Sequence, residues 1–151
     1  VAVMAIGIPA AQLAALRKGM AAKPRKPIDT SAVDLLAFHV KAQRLPAPDR
    51  EYRFAAMAVG GTGAGVKERL RKARLRDWRF DFAWPDQMVA LEMDGGGFVG
   101  GRHGTGPGIE KDCEKYSNAA AMGWRLLRVT PRQVKSGQAV DWIGKALEIR
   151  S

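Results

Sequence analysis

The periods at which apolar and polar residues alternate along the chain predict an order of helices and strands. Residues 8–23 have helical spacing, and the basic, proline-containing stretch that follows them is typical of a linker. Residues 32–45 predict a second helix, which Thr30 or Ser31 can cap. Its apolar residues that lie broadly on one side are Val33, Leu36, Phe38 and Val40. Charged and apolar residues then alternate over residues 50–57, which predicts a strand.

The middle of the chain predicts a hairpin of two strongly apolar strands. Residues 77–85 ("DWRFDFAWP") alternate with period two, so we expect Asp81 on the face opposite the aromatic residues. Those aromatic residues are Trp78, Phe80, Phe82 and Trp84. Residues 87–93 ("QMVALEM") form a nearly continuous apolar run, as expected of a strand that is buried on both faces. The turn sequence "WPDQ" between them makes the two strands antiparallel neighbours.

The last third of the chain predicts helix, strand and helix. Residues 109–122 are helical in pattern, and Gly123 ends the helix. The apolar stripe expected on this helix consists of Ile109, Cys113, Tyr116 and Ala120. Residues 124–131 predict a strand and residues 136–149 a final helix. The order α–β–β–β–α–β–α indicates an α/β fold.

The basic, proline-containing linker divides the chain into two parts. Residues 1–29 are expected to be an N-terminal basic helix and linker, and residues 30–151 a single domain. Within that domain, residues 60–76 form a basic insertion or mobile loop, in which "VKERLRKARLR" is either a short basic helix or a disordered arm.

Composition and charge narrow the functional classes. Residues 1–80 carry 16 Lys and Arg against 6 Asp and Glu, whereas residues 81–151 carry 9 of each, so the net charge of +10 comes from the first part. This asymmetry favours a polyanionic partner such as nucleic acid, and the alternative is a basic face kept for solubility. The single cysteine excludes a disulfide framework and a cysteine-rich zinc site. The sequence contains no run of about 18 apolar residues, so no membrane span is predicted. We expect a cytoplasmic protein.

Three acids near the end of the predicted hairpin are the main chemical feature. Period two puts Glu92 and Asp94 on one face of their strand, where Asp81 of the neighbouring strand can join them. Carboxylates that converge in this way repel one another unless a cation lies between them, and Mg²⁺ prefers such hard oxygen ligands. The alternative is that Asp81 and Asp94 are turn-forming acids while Glu92 pairs with an arginine.

Sequence motifs around these acids resemble a known nuclease superfamily. "FDF", "LEMDGG" and "IEKDCEKYSNAAAMGWRLLRV" follow one another in the order found in the PD-(D/E)XK nuclease superfamily, and the last of them is similar to very-short-patch-repair (Vsr-like) endonucleases. The resemblance covers roughly residues 32–148. It implies a restriction-endonuclease-like α-β-β-β-α-β core, with a mixed central sheet flanked by helices.

The resemblance also implies roles for particular residues. Asp81, Glu92 and the backbone carbonyl of Met93 would bind Mg²⁺, for which Mn²⁺ would substitute. Asp94 stands where the superfamily usually has a lysine, and it would position water or bind a second metal ion. Alternatively, Lys111 or Lys115 would supply the missing positive charge.

Two further residues are candidates for supporting roles. His103 is a candidate general acid or phosphate contact, in a loop whose glycines leave clearance for DNA beside the acids. Glu51 resembles a supporting acid of the superfamily, and the alternative is a surface acid paired with Arg50 or Arg53.

The sequence therefore predicts a Mg²⁺-dependent endodeoxyribonuclease. It would hydrolyse phosphodiester bonds in branched, nicked or mismatched DNA, as a bacterial or phage-type intracellular protein without membrane contact. Cleavage of paired strands would need two active sites, so a homodimer is one expected assembly. The expected DNA-binding residues are Lys67, Arg69, Arg71, Lys72, Arg74, Arg76, Arg102 and Lys115. The alternative function is a non-catalytic nucleic-acid-binding module that retains the nuclease fold.

Overall fold

The architecture is that of a computed structural model, which describes residues 30–94 and 106–148. The helices are α1 (Thr30–Ala42), α2 (Phe54–Ala58), α3 (Val66–Lys72), α4 (Gly106–Ala121), α5 (Pro131–Lys135) and α6 (Gln138–Glu148). The strands are β1 (Asp49–Tyr52), β2 (Phe80–Trp84), β3 (Val89–Met93) and β4 (Arg125–Val129). The predicted N-terminal helix and the glycine-rich loop that contains His103 lie outside the described residues.

The strands form one mixed sheet in the order β1-β2-β3-β4. The first three strands are antiparallel neighbours, and a 3₁₀ turn at Pro85–Gln87 joins β2 to β3. Strand β4 runs parallel to β3, which requires a long crossover, and α4 lies in that crossover. The predicted α/β class with a mixed sheet flanked by helices is therefore confirmed.

Apolar residues fill both sides of the sheet. One cluster joins β2, β3 and β4 to α1, α5 and α6, and its centre includes Trp84, Leu91 and Ile143. The other cluster joins the opposite face to α2, α3 and α4, with Phe54 and Phe80 fully buried. Burying each of these large side chains contributes about 1.5–3 kcal/mol to folding, so the two clusters fix the sheet between two helical layers.

The period-two prediction for β2 is wrong at its beginning. Phe82 and Trp84 belong to one cluster, but Phe80 and Trp78 belong to the other. The ladder between β2 and β3 begins only at Phe82, whereas Phe80 still pairs with Tyr52 of β1, so the change of face falls between Phe80 and Phe82. The ring of Phe80 instead stacks on Phe54 of α2, with 4.1 Å between the ring centroids.

The strand predicted over residues 50–57 is also only partly correct. Strand β1 ends at Tyr52, and α2 begins at Phe54. Three consecutive residues, Phe54, Ala55 and Ala56, are buried. A strand on a one-sided face would expose every second one of them, whereas a short helix wedged into the core buries all three.

Helix α1 begins at Thr30, one of the two residues expected to cap it, and ends at Ala42, three residues before the predicted end. One residue assigned to its apolar side is exposed. Ala32, Leu36 and Val40 recur every four residues and are buried. Phe38 is 65% exposed. It follows the buried Leu36 by two residues, which places it more than half a turn away around the helix. Among the described residues, no helix has the length and apolarity needed to cross a membrane.

The apolar stripe predicted for α4 points mainly to solvent. Ile109 is 47% exposed, and Cys113 and Ala120 are exposed as well. The side of α4 that faces the sheet carries Lys115 and Tyr116 together with the buried Ala119. The helix therefore directs the Lys115 ammonium group toward Glu92 of β3, and most of its apolar stripe is left exposed.

Candidate functional site

The backbone at the ends of β2 and β3 brings three acids together. Asp81 Oδ2 accepts a hydrogen bond of 2.7 Å from the Met93 amide, beyond the point where the ladder of these strands ends. The amide of Asp94 donates to the carbonyl of Val129 at 2.7 Å, which keeps Asp94 beside β4 after β3 has ended. Glu92 lies between Asp81 and Asp94 in sequence, and its side chain faces α4.

Glu92 is paired with a lysine in a largely buried contact. Lys115 Nζ lies 2.6 Å from Glu92 Oε1, and the two side chains are 17% and 14% exposed. The pKa of Glu92 is raised to about 7. Burial is the largest cause, the charges of Asp81 and Asp94 also raise the pKa, and Lys115 acts to lower it. The charges of Asp81 and Asp94 thus act on Glu92, so the three acids influence one another.

Asp94 is paired with an arginine that also contacts an aromatic ring. Arg128 Nη2 lies 2.8 Å from Asp94 Oδ1, and the guanidinium carbon lies 4.6 Å from the ring centroid of Tyr116. Burial and the nearby carboxylates, led by Glu92, raise the pKa of Tyr116 to about 12. The phenol is therefore neutral at physiological pH, with its ring available to the cation.

The chemistry of the acids suits a small hard cation. Among residues 30–94 and 106–148, no group of three or more His, Cys, Asp or Glu side chains is arranged to hold a metal ion. Mg²⁺, however, is commonly bound by one or two carboxylates, with water and substrate phosphate as further ligands. Asp81 and Glu92 carry carboxylate oxygens of this kind. They are therefore the residues of the cluster whose chemistry suits Mg²⁺.

The structure distinguishes between the two lysines considered from the sequence. Lys115 meets Glu92, whereas Lys111, one helical turn earlier, is exposed. Arg102 and His103 lie outside the described residues, and their roles stay predictions.

Glu51 does not join the acid cluster. Its side chain is 61% exposed, and its carboxylate lies 3.6 Å from Arg79. Neither partner expected from the sequence is used, because Arg53 forms a bidentate pair with Asp77. The described charges that act on Glu92 do not include Glu51.

Arg69, expected to bind DNA, organises a loop of the protein. Its guanidinium donates to three backbone carbonyls, those of Val59, Gly61 and Ala64, at 2.7, 2.8 and 2.6 Å. These bonds tie the glycine-rich turn before α3 to the helix itself.

The remaining expected DNA-binding cations near α3 are exposed. Arg71 pairs with Glu68 at 2.7 Å, and Arg76 pairs with Glu114 of α4 at 3.2 Å. Exposed pairs of this kind are weak and salt-sensitive, so they leave these cations able to exchange partners with a polyanion. The exposed members of this basic surface are Lys67, Arg71, Lys72, Arg74 and Arg76.

Sequence reasoning missed Arg128 and Tyr116 as parts of the site. Strand pairing sets Arg128 opposite Glu92, but β4 also contains Arg125, so the sequence of the strand did not single out Arg128. Tyr116 was assigned to an apolar stripe, and only the rotation of α4 brings it next to Arg128.

The chain has no significant match among protein-family models, curated proteins or solved structures. A function for this chain is therefore inferred from its own residues and their geometry.

Proposed function

We propose that the protein is a metal-dependent DNA endonuclease. The observation that carries the proposal is the buried contact of Lys115 with Glu92, within reach of the charges of Asp81 and Asp94. Acids kept together at the end of two strands, with a lysine among them, form a set suited to hydrolysing a phosphodiester. For stability alone, an apolar pair of similar size would serve as well or better than this buried ion pair.

Each residue of the cluster has a distinct part in the proposed reaction. When bound, a divalent cation supplies Lewis acidity, which activates water and offsets negative charge on the scissile phosphate. Asp81 and Glu92 would hold the cation, with the Met93 carbonyl as a further oxygen donor. Lys115 orients Glu92 and presents positive charge toward the phosphate, and Asp94 accepts a proton or hydrogen bond from the attacking water.

The order of elements supports the same proposal. The described residues run α1, β1, β2, β3, α4 and β4, with β4 parallel to β3, which agrees with the α-β-β-β-α-β core implied by the sequence resemblance. The short helices α2 and α3 are additions between β1 and β2. The basic surface on and after α3 would contact the DNA backbone and add affinity without sequence preference.

One observation favours the alternative, a non-catalytic nucleic-acid-binding module. Each acid already has a partner inside the protein, because Asp81 accepts from Met93, Glu92 from Lys115, and Asp94 from Arg128. A cluster that is neutralised internally can persist for structural reasons. The two functions differ in whether DNA is cut, not in whether it is bound.

The test is a cleavage assay on branched, nicked, mismatched and linear DNA, with Mg²⁺, Mn²⁺ or EDTA. We expect cleavage that requires the metal and is lost in Asp81→Asn and Glu92→Gln, both of which keep side-chain shape. Asp86→Asn is the matched control, because Asp86 is an exposed acid in the turn at the other end of the same two strands. DNA binding without cleavage under every metal would instead support the binding module.

A further inference from the structure

Arg128 lies between an acid of the site and an aromatic ring. Its guanidinium donates to Asp94 at 2.8 Å and lies 4.6 Å from the centroid of the Tyr116 ring. The three residues come from three different places in the fold: the residue after β3, strand β4 and helix α4. Pairing of β3 with β4 fixes the backbone of this arrangement, since Glu92 stands opposite Arg128.

The ion pair alone would hold Asp94 only loosely. Arg128 and Asp94 are 44% and 27% exposed, and pairs this accessible to water contribute little and exchange readily. An aromatic ring against the guanidinium changes this, because the planar group can stack on the ring while its edge donates to a carboxylate. Tyr116 therefore restricts the Arg128 side chain that would otherwise be free to leave Asp94.

We infer that Tyr116 and Arg128 are positioning residues, which hold the Asp94 carboxylate in one orientation beside Asp81 and Glu92. The catalytic meaning of this orientation rests on the proposed function, in which Asp94 acts on the attacking water. The orientation itself does not, since it follows from contacts that are present without metal or DNA. In that role Asp94 would hold a water bound to the cation, and loss of such an outer-shell contact typically lowers metal affinity or activity by about 10–100-fold.

A test must separate position from charge. Removing Arg128 outright changes the charge next to three acids, which alters metal binding by itself. Tyr116→Leu removes the ring but no charge, and Tyr116→Phe keeps the ring and removes only the hydroxyl. Arg128→Lys keeps the charge and loses the planar group that stacks.

Two readouts decide the inference, namely Mn²⁺ affinity by electron paramagnetic resonance and the order of the Arg128 Nε–H group by ¹⁵N NMR relaxation. We expect Tyr116→Phe to match the wild type within about twofold in Mn²⁺ affinity. Tyr116→Leu and Arg128→Lys should each weaken it by about tenfold. The double variant should be no weaker than either single variant, because both changes remove the same constraint. Tyr116→Leu should also mobilise the Arg128 side chain.

Three results would overturn the inference. They are an unchanged Arg128 order in Tyr116→Leu, equal effects of Tyr116→Phe and Tyr116→Leu, and additive losses in the double variant. Thermal unfolding of each variant shows whether a loss comes from global instability, in which case Arg128→Lys, which leaves α4 unaltered, decides. If the wild type neither binds Mn²⁺ nor cuts DNA, the proposed function fails, and the Arg128 order alone decides the inference.

Discussion

Replacing Lys115 by methionine removes the cation that faces Glu92 while keeping most of the aliphatic length. The pair is mostly buried, with the two side chains 17% and 14% exposed, so water cannot fully replace the lost ammonium group. Removing one partner of a fully buried pair costs about 3–5 kcal/mol. Glu92 can escape part of this cost by taking up a proton, which makes the expected loss dependent on pH.

The size of the loss follows from the protonation of Glu92. With Lys115 present, the pKa of Glu92 is about 7, and loss of Lys115 raises it further because Lys115 acts to lower it. At about pH 8 the variant must either keep an unpaired carboxylate or bind a proton, at about 1.4 kcal/mol per unit of pKa. We expect Lys115→Met to lose about 1–3 kcal/mol of unfolding free energy at that pH. At about pH 5.5 Glu92 is protonated in both proteins, and the loss should be smaller.

Urea denaturation at the two pH values measures this difference. Lys111→Met is the matched control, since Lys111 is exposed one turn away on the same helix, and it should change stability by less than about 0.5 kcal/mol. Adding Glu92→Gln to Lys115→Met should recover most of the loss at about pH 8. An equal loss of unfolding free energy in Lys115→Met at both pH values, or no loss at about pH 8, would show that Lys115 does not stabilise the charged form of Glu92.

Two further predictions concern stability. The pKa of Glu92 is raised from its ordinary value of 4.5 to about 7 in the folded protein, so folding takes up a proton between these two pH values. The contribution of Glu92 to stability therefore falls as pH rises from about 4.5 to about 7. Urea denaturation across this range should show the fall, and Glu92→Gln should flatten it. Arg69→Met should cost about 1–3 kcal/mol, because two part-buried carbonyls and one exposed carbonyl lose their donor; a loss no larger than that of the exposed control Lys67→Met would contradict this.

The sequence predicted much of the sheet and less of the helix orientations. The apolar run that became β3 and the proline turn before it were sufficient to predict the β2–β3 hairpin, because a strand buried on both faces has few alternatives. The prediction for α4 was wrong because it counted Ile109 and Cys113 as core-facing. The side of α4 that faces the sheet instead carries Ala119 and Lys115, and contacts between residues distant in sequence leave no trace in local periodicity.

For the candidate site, the sequence named the three acids and offered Lys111 or Lys115 as a cation, but it did not name Arg128. Strand periodicity was enough to predict that Glu92 and Asp94 share a face. The choice between Lys111 and Lys115 depends on how α4 is rotated against the sheet, which only tertiary packing determines. Arg128 entered the site through the register of β4 against β3, which has no local signal either.

The most direct test of the central claim is a crystal structure of the wild-type protein soaked in Mn²⁺, with anomalous scattering used to locate the metal. We expect a peak within about 2.0–2.3 Å of oxygens from both Asp81 and Glu92. Lys115 and Arg128 should remain beside their acids. A saturating soak that leaves no peak between Asp81 and Glu92 would contradict the claim that these acids form a metal-dependent nuclease centre.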